Sequence, residues 1–153
     1  MKDKIKQYFE QLVPKKLGFK SKIKVKSVKR LGAGSSNISY LVNANGKEFV
    51  FRLNAHIKNK SKIKKEFEAL KLVEKYRISP KVWYMDNSHK YFDSEFIVLD
   101  YVDGKEASKI KPYMNDELIS NLGRLLGKLH SINIIGQLKR LKQNKETANY
   151  NEA

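Results

Sequence analysis

Apolar residues recur at two different periods in the first half of the chain, and each change of period marks a predicted element. Residues 3–13 carry apolar side chains at helical spacing, and Pro14 and Gly18 close that segment. The next segments alternate in a way that is typical of strands, and Asn45-Gly46 is a hairpin signal between two of them. The three predicted strands cover residues 22–31, 38–43 and 48–53.

The second half of the chain begins with a return to the helical period. Residues 61–76 place Ile63, Phe67 and Leu70 on one stripe, and Ser79-Pro80 ends the predicted helix. Two more strands follow, and then a helix with a leucine face, built from Leu118, Leu122, Leu125 and Leu129. These last three predicted elements cover residues 81–85, 95–100 and 116–130.

This order of elements predicts an α+β fold. Strands grouped around a single helix favour an antiparallel layer, here a five-stranded sheet with one packed helix, followed by a C-terminal helix. No internal repeat is visible. The predicted organisation is an N-terminal helix at 1–20, a lobe at 21–104, the start of a second helical region at 105–135, and a disordered polar tail at 136–153.

Composition narrows the class of protein. The 153 residues are 41% hydrophobic, which is enough for one modest core, and no cysteine is present, so disulfides, thiolate nucleophiles and Cys-based metal sites are excluded. The first eleven residues contain no continuous apolar run, so we expect neither a signal peptide nor a membrane span there. A cytoplasmic protein without membrane partners is the expectation.

The net charge of +16 has two interpretations. A basic face could bind nucleic acid, a membrane or phosphorylated ligands, or the lysines could form an ordinary solvated surface. The basic residues are nearly all lysines, and in residues 22–26 they occupy the polar side of an alternating segment. The solvated surface is therefore favoured. No nucleic-acid recognition motif is visible and the aromatic residues have core-like spacings, so nucleic acid is not an expected partner.

A cluster of small residues, Gly32 to Asn37, joins the first two predicted strands. Glycines allow the backbone to approach a ligand closely, and free N–H groups at such a turn can hold phosphate oxygens. The alternative is an ordinary hairpin turn. The cluster is not a Walker loop, because no Gly-Lys-Ser/Thr follows, and Asn37 occupies the third glycine position of the kinase pattern.

Strand 48–53 carries the first candidate for phosphate binding. Alternation places Val50 and Arg52 on one face and Phe49, Phe51 and Leu53 on the other, core-facing side. A small apolar residue beside a cation would suit a base and its phosphates, although a surface arginine on an edge strand has the same pattern.

Glu66 is the candidate partner of that cation. On a helical wheel it lies at the border of the apolar stripe formed by Ile63, Phe67 and Leu70. A carboxylate at that border could reach a cation on the sheet, and a half-buried carboxylate requires such a partner. The alternative is one more exposed glutamate of a charged helix.

The strand that ends at Asp100 supplies a third candidate. Residues 96–104 run from a buried apolar stretch into a polar turn at Asp103-Gly104. Backbone groups that leave a sheet lose their ladder partners, so the edge of a purine could bind there. A plain strand end is the alternative.

Taken in order, these segments resemble the aminoglycoside phosphotransferase and choline kinase superfamily, whose fold is protein-kinase-like. The features are the glycine loop, a strand-borne cation, a helix with an inward glutamate, Ser79-Pro80, and a buried strand ending in Asp103-Gly104. The stretch from Leu122 to His130 resembles the helix that precedes the family's catalytic loop. The resemblance covers roughly residues 28–131 and also fits the kinase pattern of a strand cation paired with a helix glutamate.

The resemblance implies an ATP site. In it, Gly34, Ser35 and Ser36 would cover the phosphates through backbone N–H groups. Arg52 would hold the phosphates in place of the usual lysine, and Glu66 would orient Arg52.

For the base, the resemblance implies four further residues. Val50 would contact the adenine, and Leu99 would lie at the back of its pocket. Asp100 and Val102 would offer a backbone carbonyl and a backbone N–H to the adenine edge.

The sequence departs from the family where the transfer chemistry is expected. The family's catalytic loop contains His-Gly-Asp, but here the only histidines are His56, His89 and His130, and no aspartate follows Asp116. ATP is the implied cofactor and Mg²⁺ is expected for the family, yet neither the general base nor the metal ligands are present. The expectation is the ATP-binding portion of a small-molecule kinase that is inactive alone.

Three origins of such a chain stay open at this point. It could be a truncated reading frame, half of a split enzyme whose second chain supplies the missing lobe, or a decayed homologue kept as a non-catalytic nucleotide-binding or partner module. The acceptor is also open, with hydroxyls of aminoglycosides, choline, homoserine and sugars all consistent with the family.

Overall fold

A computed structural model of the chain describes residues 1–33, 37–54, 62–105 and 115–133. Backbone contacts divide the chain into two compact units, residues 1–103 and the part from Gly104 onward. The first unit contains helix α1, strands β1 to β3, helix α2 and strands β4 and β5; the second contains helix α3. Their bounds are Lys2–Gln11 for α1, Val25–Ala33 for β1, Asn37–Ala44 for β2, Lys47–Asn54 for β3, Lys62–Val73 for α2, Val82–Asp86 for β4, Phe96–Asp100 for β5 and Asp116–His130 for α3.

The predicted antiparallel sheet is confirmed, with its five strands in the order β1-β2-β3-β5-β4. β1 pairs with β2, β2 with β3 and β4 with β5. β3 pairs with β5, which follows it in the chain after α2 and β4. Asn45 and Gly46 form the turn between β2 and β3, and both have positive φ, 49° and 79°. Those values belong to the tight turn that Asn-Gly favours.

The first strand starts later than predicted, at Val25 instead of residue 22. Ile23 and Val25 are buried, whereas Lys22, Lys24 and Lys26 on either side of them are exposed, so the alternation itself is correct. The backbone of residues 22–24 forms hydrogen bonds with the hairpin turn instead of with a neighbouring strand. Lys24 N–H donates to Asn45 Oδ1 at 2.8 Å, and Asn45 Nδ2 donates to the Lys22 carbonyl at 3.2 Å. A side chain therefore satisfies these groups, and the ladder begins beyond them.

The sheet has a separate apolar cluster on each face. The larger one lies between the sheet and α1, which buries Ile5, Tyr8 and Phe9 against it. The smaller one lies under α2 and joins Ile63 to Ile97, Leu99 and Val82. Helix α1, predicted as a separate N-terminal segment, thus covers one face as α2 covers the other. Within the described ranges, no helix combines the length and apolarity needed to cross a membrane.

Helix α1 is tied to β4 through the half-buried carboxylate of Asp86. Tyr84 donates its hydroxyl to Asp86 Oδ2 at 3.0 Å, and Tyr8 approaches the same oxygen at 3.5 Å. Burial alone would raise the pKa of Asp86, but hydrogen bonds from Ser88, Tyr84 and Tyr8 outweigh it and lower that pKa below its ordinary value. Burial, followed by the neighbouring Tyr84, raises the pKa of Tyr8. The phenol therefore stays neutral and the carboxylate charged.

Helix α3, the described part of the second unit, matches the predicted residues 116–130. The Asn115 side chain caps it by accepting from Leu118 N–H at 2.8 Å. The helix buries none of its own residues, and its apolar side is exposed at Ile119, Leu122, Leu125, Leu126 and Leu129. Such a continuous apolar stripe is typical of a helix that packs against another surface.

One prediction concerns the close approach of Gly18 to Trp83. Gly18 has φ 75°, and a Cβ there would lie 2.8 Å from the Trp83 ring, whereas Gly46 has φ 79° and open space around it. Gly46→Ala should cost about 1–2 kcal/mol for the left-handed backbone alone. Gly18→Ala should cost about 1–3 kcal/mol more, because the ring must move. Urea unfolding followed by far-UV circular dichroism measures both, and equal losses would show that the Trp83 contact carries no cost.

A second prediction concerns the apolar face of α3. We expect the protein to self-associate through it, because exposed apolar patches favour association. The double substitution Leu122→Gln with Leu125→Gln should shift sedimentation velocity profiles toward the monomer. Ser120→Gln, on the opposite side of the helix, should leave the profile unchanged. A wild-type chain that stays monomeric at all concentrations would contradict the expectation.

Candidate functional site

Two rows of side chains cross the face of the sheet that carries α2. The register places Leu41 opposite Val50, Val50 opposite Leu99, and Leu99 opposite Val82, which forms an apolar row across four strands. A second row contains Gly32, Ser39, Arg52 and Ile97. The rows are two residues apart, about 7 Å along each strand. An apolar strip and a polar strip therefore run side by side on one surface.

The predicted division of β3 between two faces is correct. Phe49, Phe51 and Leu53 are buried in the cluster under α1, while Val50 and Arg52 are half-buried on the other face. The aromatic side chains hold β3 in the centre of the sheet, and that placement fixes the position of the Arg52 side chain. The cation thus rests on a rigid element rather than on a loop.

Arg52 and Glu66 form an ion pair and a hydrogen bond between Nη1 and Oε1, as the sequence predicted. The side chains retain 29% and 27% of their exposure, so both are shielded from most of the solvent. Glu66 lies on α2 beside Phe67, which packs against the sheet and so sets the distance of the helix. The guanidinium has five donors, and within the described ranges Glu66 Oε1 is the partner of one nitrogen, so further N–H groups could donate to a second anion.

Two backbone hydrogen bonds hold the chain where it leaves β5. Asp100 N–H donates to the Lys81 carbonyl at 2.9 Å, and Tyr101 N–H donates to the Glu48 carbonyl at 3.2 Å. Val102 is 65% exposed and forms no hydrogen bond with any residue of the described ranges. Partial desolvation, with the carboxylates of Asp103 and Glu48, raises the pKa of Tyr101, so its phenol stays neutral. The backbone at Val102 is therefore available to a ligand.

An open cleft of about 910 Å³ lies against residues 100–103, where the chain leaves β5. Its lining includes Asp100 and Val102, and also Leu41 from the apolar row. Arg52, Glu66, Val50 and Leu99 lie outside its lining. Leu41 therefore connects the cleft with the row that contains Val50.

Some residues of the predicted site cannot be placed, and some residues of the observed rows were missed. Gly34, Ser35 and Ser36 lie outside the described residues. Gly32 and Ser39, which flank the undescribed residues, pair with each other and belong to the same row as Arg52. The β1–β2 connection therefore starts and ends close to the level of Arg52 in the sheet. Sequence reasoning missed Ser39 and Leu41. Their position opposite Arg52 and Val50 follows only from the β2–β3 register, which the turn at Asn45-Gly46 could have given.

The described ranges contain no group of three or more His, Asp or Glu side chains able to hold a metal ion. Arg52 and Glu66 are each held by the other, and Asp100 is engaged by Lys47 and Trp83. The chemistry available in these ranges is recognition of an anion by a cation and contact of a flat apolar group with a flat apolar row.

Comparisons with known proteins point to one family. The profile of the phosphotransferase enzyme family APH matches residues 27–153. A crystal structure from Ralstonia eutropha JMP134, assigned as an aminoglycoside phosphotransferase, is similar with a TM-score of 0.61 at 16% identity, over 88% of this chain and 39% of that one. The GDP and kanamycin complex of APH(2″)-IIIa is similar with a TM-score of 0.59 at 21% identity, over 76% of this chain and 40% of that one. Comparison with curated proteins found no match.

These structural similarities show a shared fold at low sequence identity. The chain spans about two fifths of the length of the two structures. Its sheet of five antiparallel strands with α2 packed on one face matches their kinase-like N-terminal lobe.

The Arg52–Glu66 pair gives a prediction for stability. A double-mutant cycle with Arg52→Met and Glu66→Gln should give a coupling energy near the upper end of the range of about 0.2–1 kcal/mol, because both groups are shielded. Lys71 and Glu74, three residues apart in the chain, form a comparison pair in which Lys71 is more exposed than Arg52 (39% against 29%) and Glu74 is about as exposed as Glu66 (28% against 27%). Their coupling should be about 0.2–0.5 kcal/mol. Equal couplings in urea unfolding would show that the shielding of Arg52 and Glu66 has no energetic effect.

Proposed function

The chain belongs to the phosphotransferase enzyme family, and on that premise we propose that its sheet and α2 form the ATP-binding lobe of a small-molecule kinase. The observation that carries the proposal is the Arg52–Glu66 pair, which lies on the same face as the apolar row of Leu41, Val50 and Leu99. A nucleotide combines a flat apolar base with an anionic tail, and the two rows offer matching surfaces in that order.

Arg52 is proposed to hold the phosphates. A fixed cation contributes most when its charge is already positioned before the anion arrives. Glu66 supplies that fixation by accepting from one nitrogen of the guanidinium, and the other N–H groups can donate to phosphate oxygens. Gly34, Ser35 and Ser36 are proposed to cover the phosphates from the hairpin that joins β1 and β2.

The base is proposed to lie toward the exit of β5. Val50 forms its apolar contact, with the buried Leu99 behind it at the back of the pocket, and the backbone at Asp100 and Val102 offers a carbonyl and an N–H to its edge. Asp100 pairs with Phe49 and Ile97 pairs with Arg52, so about 10 Å of strand separate the exit from the cation. That spacing supports a binding mode in which the base and the phosphates lie at opposite ends of one surface.

Mg²⁺, which phosphoryl transfer in this family requires, does not fit the described ranges. The ion needs carboxylate oxygens, and no cluster of them is found in residues 1–33, 37–54, 62–105 or 115–133. We therefore assign to these residues the binding and orientation of the nucleotide, and no step of transfer. A phosphotransferase acting on a hydroxyl of an aminoglycoside, choline or a similar acceptor is the proposed context. The structure of APH(2″)-IIIa with GDP and kanamycin makes GTP a second nucleotide to test.

The experiment is calorimetric titration of the chain with ATP, with and without Mg²⁺. Arg52→Ala should weaken binding by about tenfold or more, as loss of a charge-assisted phosphate contact does. Lys65→Ala, which removes an equal charge from an exposed position next to Glu66, should change the affinity less than twofold. Binding should depend little on Mg²⁺. Equal affinities of the two variants would remove Arg52 from the site, and a folded chain that binds neither ATP nor GTP would contradict the proposal.

A further inference from the structure

The side chain of Asp100 lies on the opposite face of the sheet from the apolar row. Residues alternate along β5, so Leu99 lies on the α2 side and Asp100 on the α1 side. The Asp100 carboxylate therefore does not face the proposed base, and any part it plays there must pass through its own backbone. Its partners on the α1 side are Trp83 and Lys47.

Both partners bind the same carboxylate oxygen. Trp83 Nε1–H donates to Asp100 Oδ1 at 2.5 Å, and Lys47 Nζ lies 3.0 Å from that oxygen. Trp83 belongs to β4 and Lys47 to β3, the two neighbours of β5 in the sheet. One oxygen thus links three strands at the point where the chain leaves the sheet.

A bulge in β4 directs Trp83 to this position. The register of β4 against β5 shifts between Val82 and Tyr84, so Trp83 is the extra residue. Bulges re-aim side chains next to functional sites. The indole is then fixed on several sides: Lys47 and Lys81 lie 4.1 Å and 3.7 Å from its centroid, and Gly18 packs against its ring.

We propose that Trp83 and Lys47 are positioning residues, which hold Asp100 and thereby set the backbone of residues 100–102 that receives the base. The proposal rests on the proposed nucleotide site and deepens it, because it assigns control of base recognition to two side chains that act through the Asp100 carboxylate. Beyond Tyr101 N–H, the backbone up to residue 105 forms no further backbone hydrogen bond with the described residues. The anchored Asp100 carboxylate restrains the chain two residues before Val102, and Tyr101 Oη approaches Asp103 Oδ1 at 3.4 Å just beyond it.

The test compares two substitutions on the same strand. Trp83→Phe keeps an aromatic ring but removes the donor to Asp100. Tyr84→Phe removes a donor to Asp86, a carboxylate outside the proposed site. Each substitution introduces Phe and removes one hydrogen bond to a carboxylate. The two variants are therefore matched in the bond that they lose and differ in where the carboxylate lies.

Amide hydrogen exchange of the nucleotide-free protein is the first readout. Trp83→Phe should raise exchange at the hydrogen-bonded amides of Asp100 and Tyr101 about tenfold, as expected when a hydrogen bond to a charged group is lost. Tyr84→Phe should leave these amides unchanged. Because no nucleotide is present, this readout tests the positioning role even if the proposed function fails.

The second readout is the ratio of ATP to GTP affinity by calorimetry. A backbone held in one conformation discriminates between the edge of adenine and the edge of guanine. Trp83→Phe should therefore bring the ratio of ATP affinity to GTP affinity several-fold closer to one. A general loss of stability would weaken the binding of both nucleotides equally and leave the ratio unchanged.

If Trp83→Phe does not fold, Asp100→Asn carries the test. The amide oxygen of Asn can accept from Trp83 but has no charge for Lys47, so an intermediate effect is expected. Unchanged exchange at the amides of Asp100 and Tyr101, or an unchanged ratio in a nucleotide-binding protein, would overturn the proposal.

Discussion

The packing of Phe49 and Phe51 against α1 determines where the polar groups of this protein lie. These two rings hold β3 in the middle of the sheet with one face fully buried. The residues between and beyond them, Val50 and Arg52, are then forced onto the other face, because side chains alternate along a strand. The cation, the apolar row beside it and the reach of Glu66 all depend on this one arrangement. A shift of β3 by a single residue would bury Arg52 among aromatic rings, where its charge would have no partner.

Sequence alone gave a good account of what depends on periodicity. The two faces of β3, the position of Glu66 at the border of its helix stripe and the leucine face of α3 all follow from spacing within one element. The contacts of Trp83 do not. In a five-residue strand the alternation carries too little information to reveal a bulge, and its donor reaches a residue 17 positions away. The start of β1 was misplaced for a related reason, since the Asn45 side chain, distant in sequence, bonds residues 22–24.

The structure also adds to the interpretation of the large positive charge. Several lysines lie over aromatic rings, among them Lys16 over Tyr84 at 4.4 Å and Lys4 over Phe92 at 5.3 Å. Their alkyl stems can cover ring surface while the ammonium groups stay in water. The abundance of lysine thus has a packing role in a small domain with many aromatic residues. A binding role for the whole charged surface is not needed to explain it.

Strand β1 forms one edge of the sheet, and its irregularities have a consequence for how copies of the protein meet. Its register slips twice, between Val25 and Ser27 and again between Arg30 and Gly32, and Lys26, Lys29 and Arg30 are exposed along it. A bulged and positively charged edge is a poor template for another strand, since an incoming backbone would find neither a straight ladder nor a neutral surface. Growth of the sheet from one molecule into the next, the route that leads to fibrils, is therefore disfavoured at β1 even where molecules collide at high concentration.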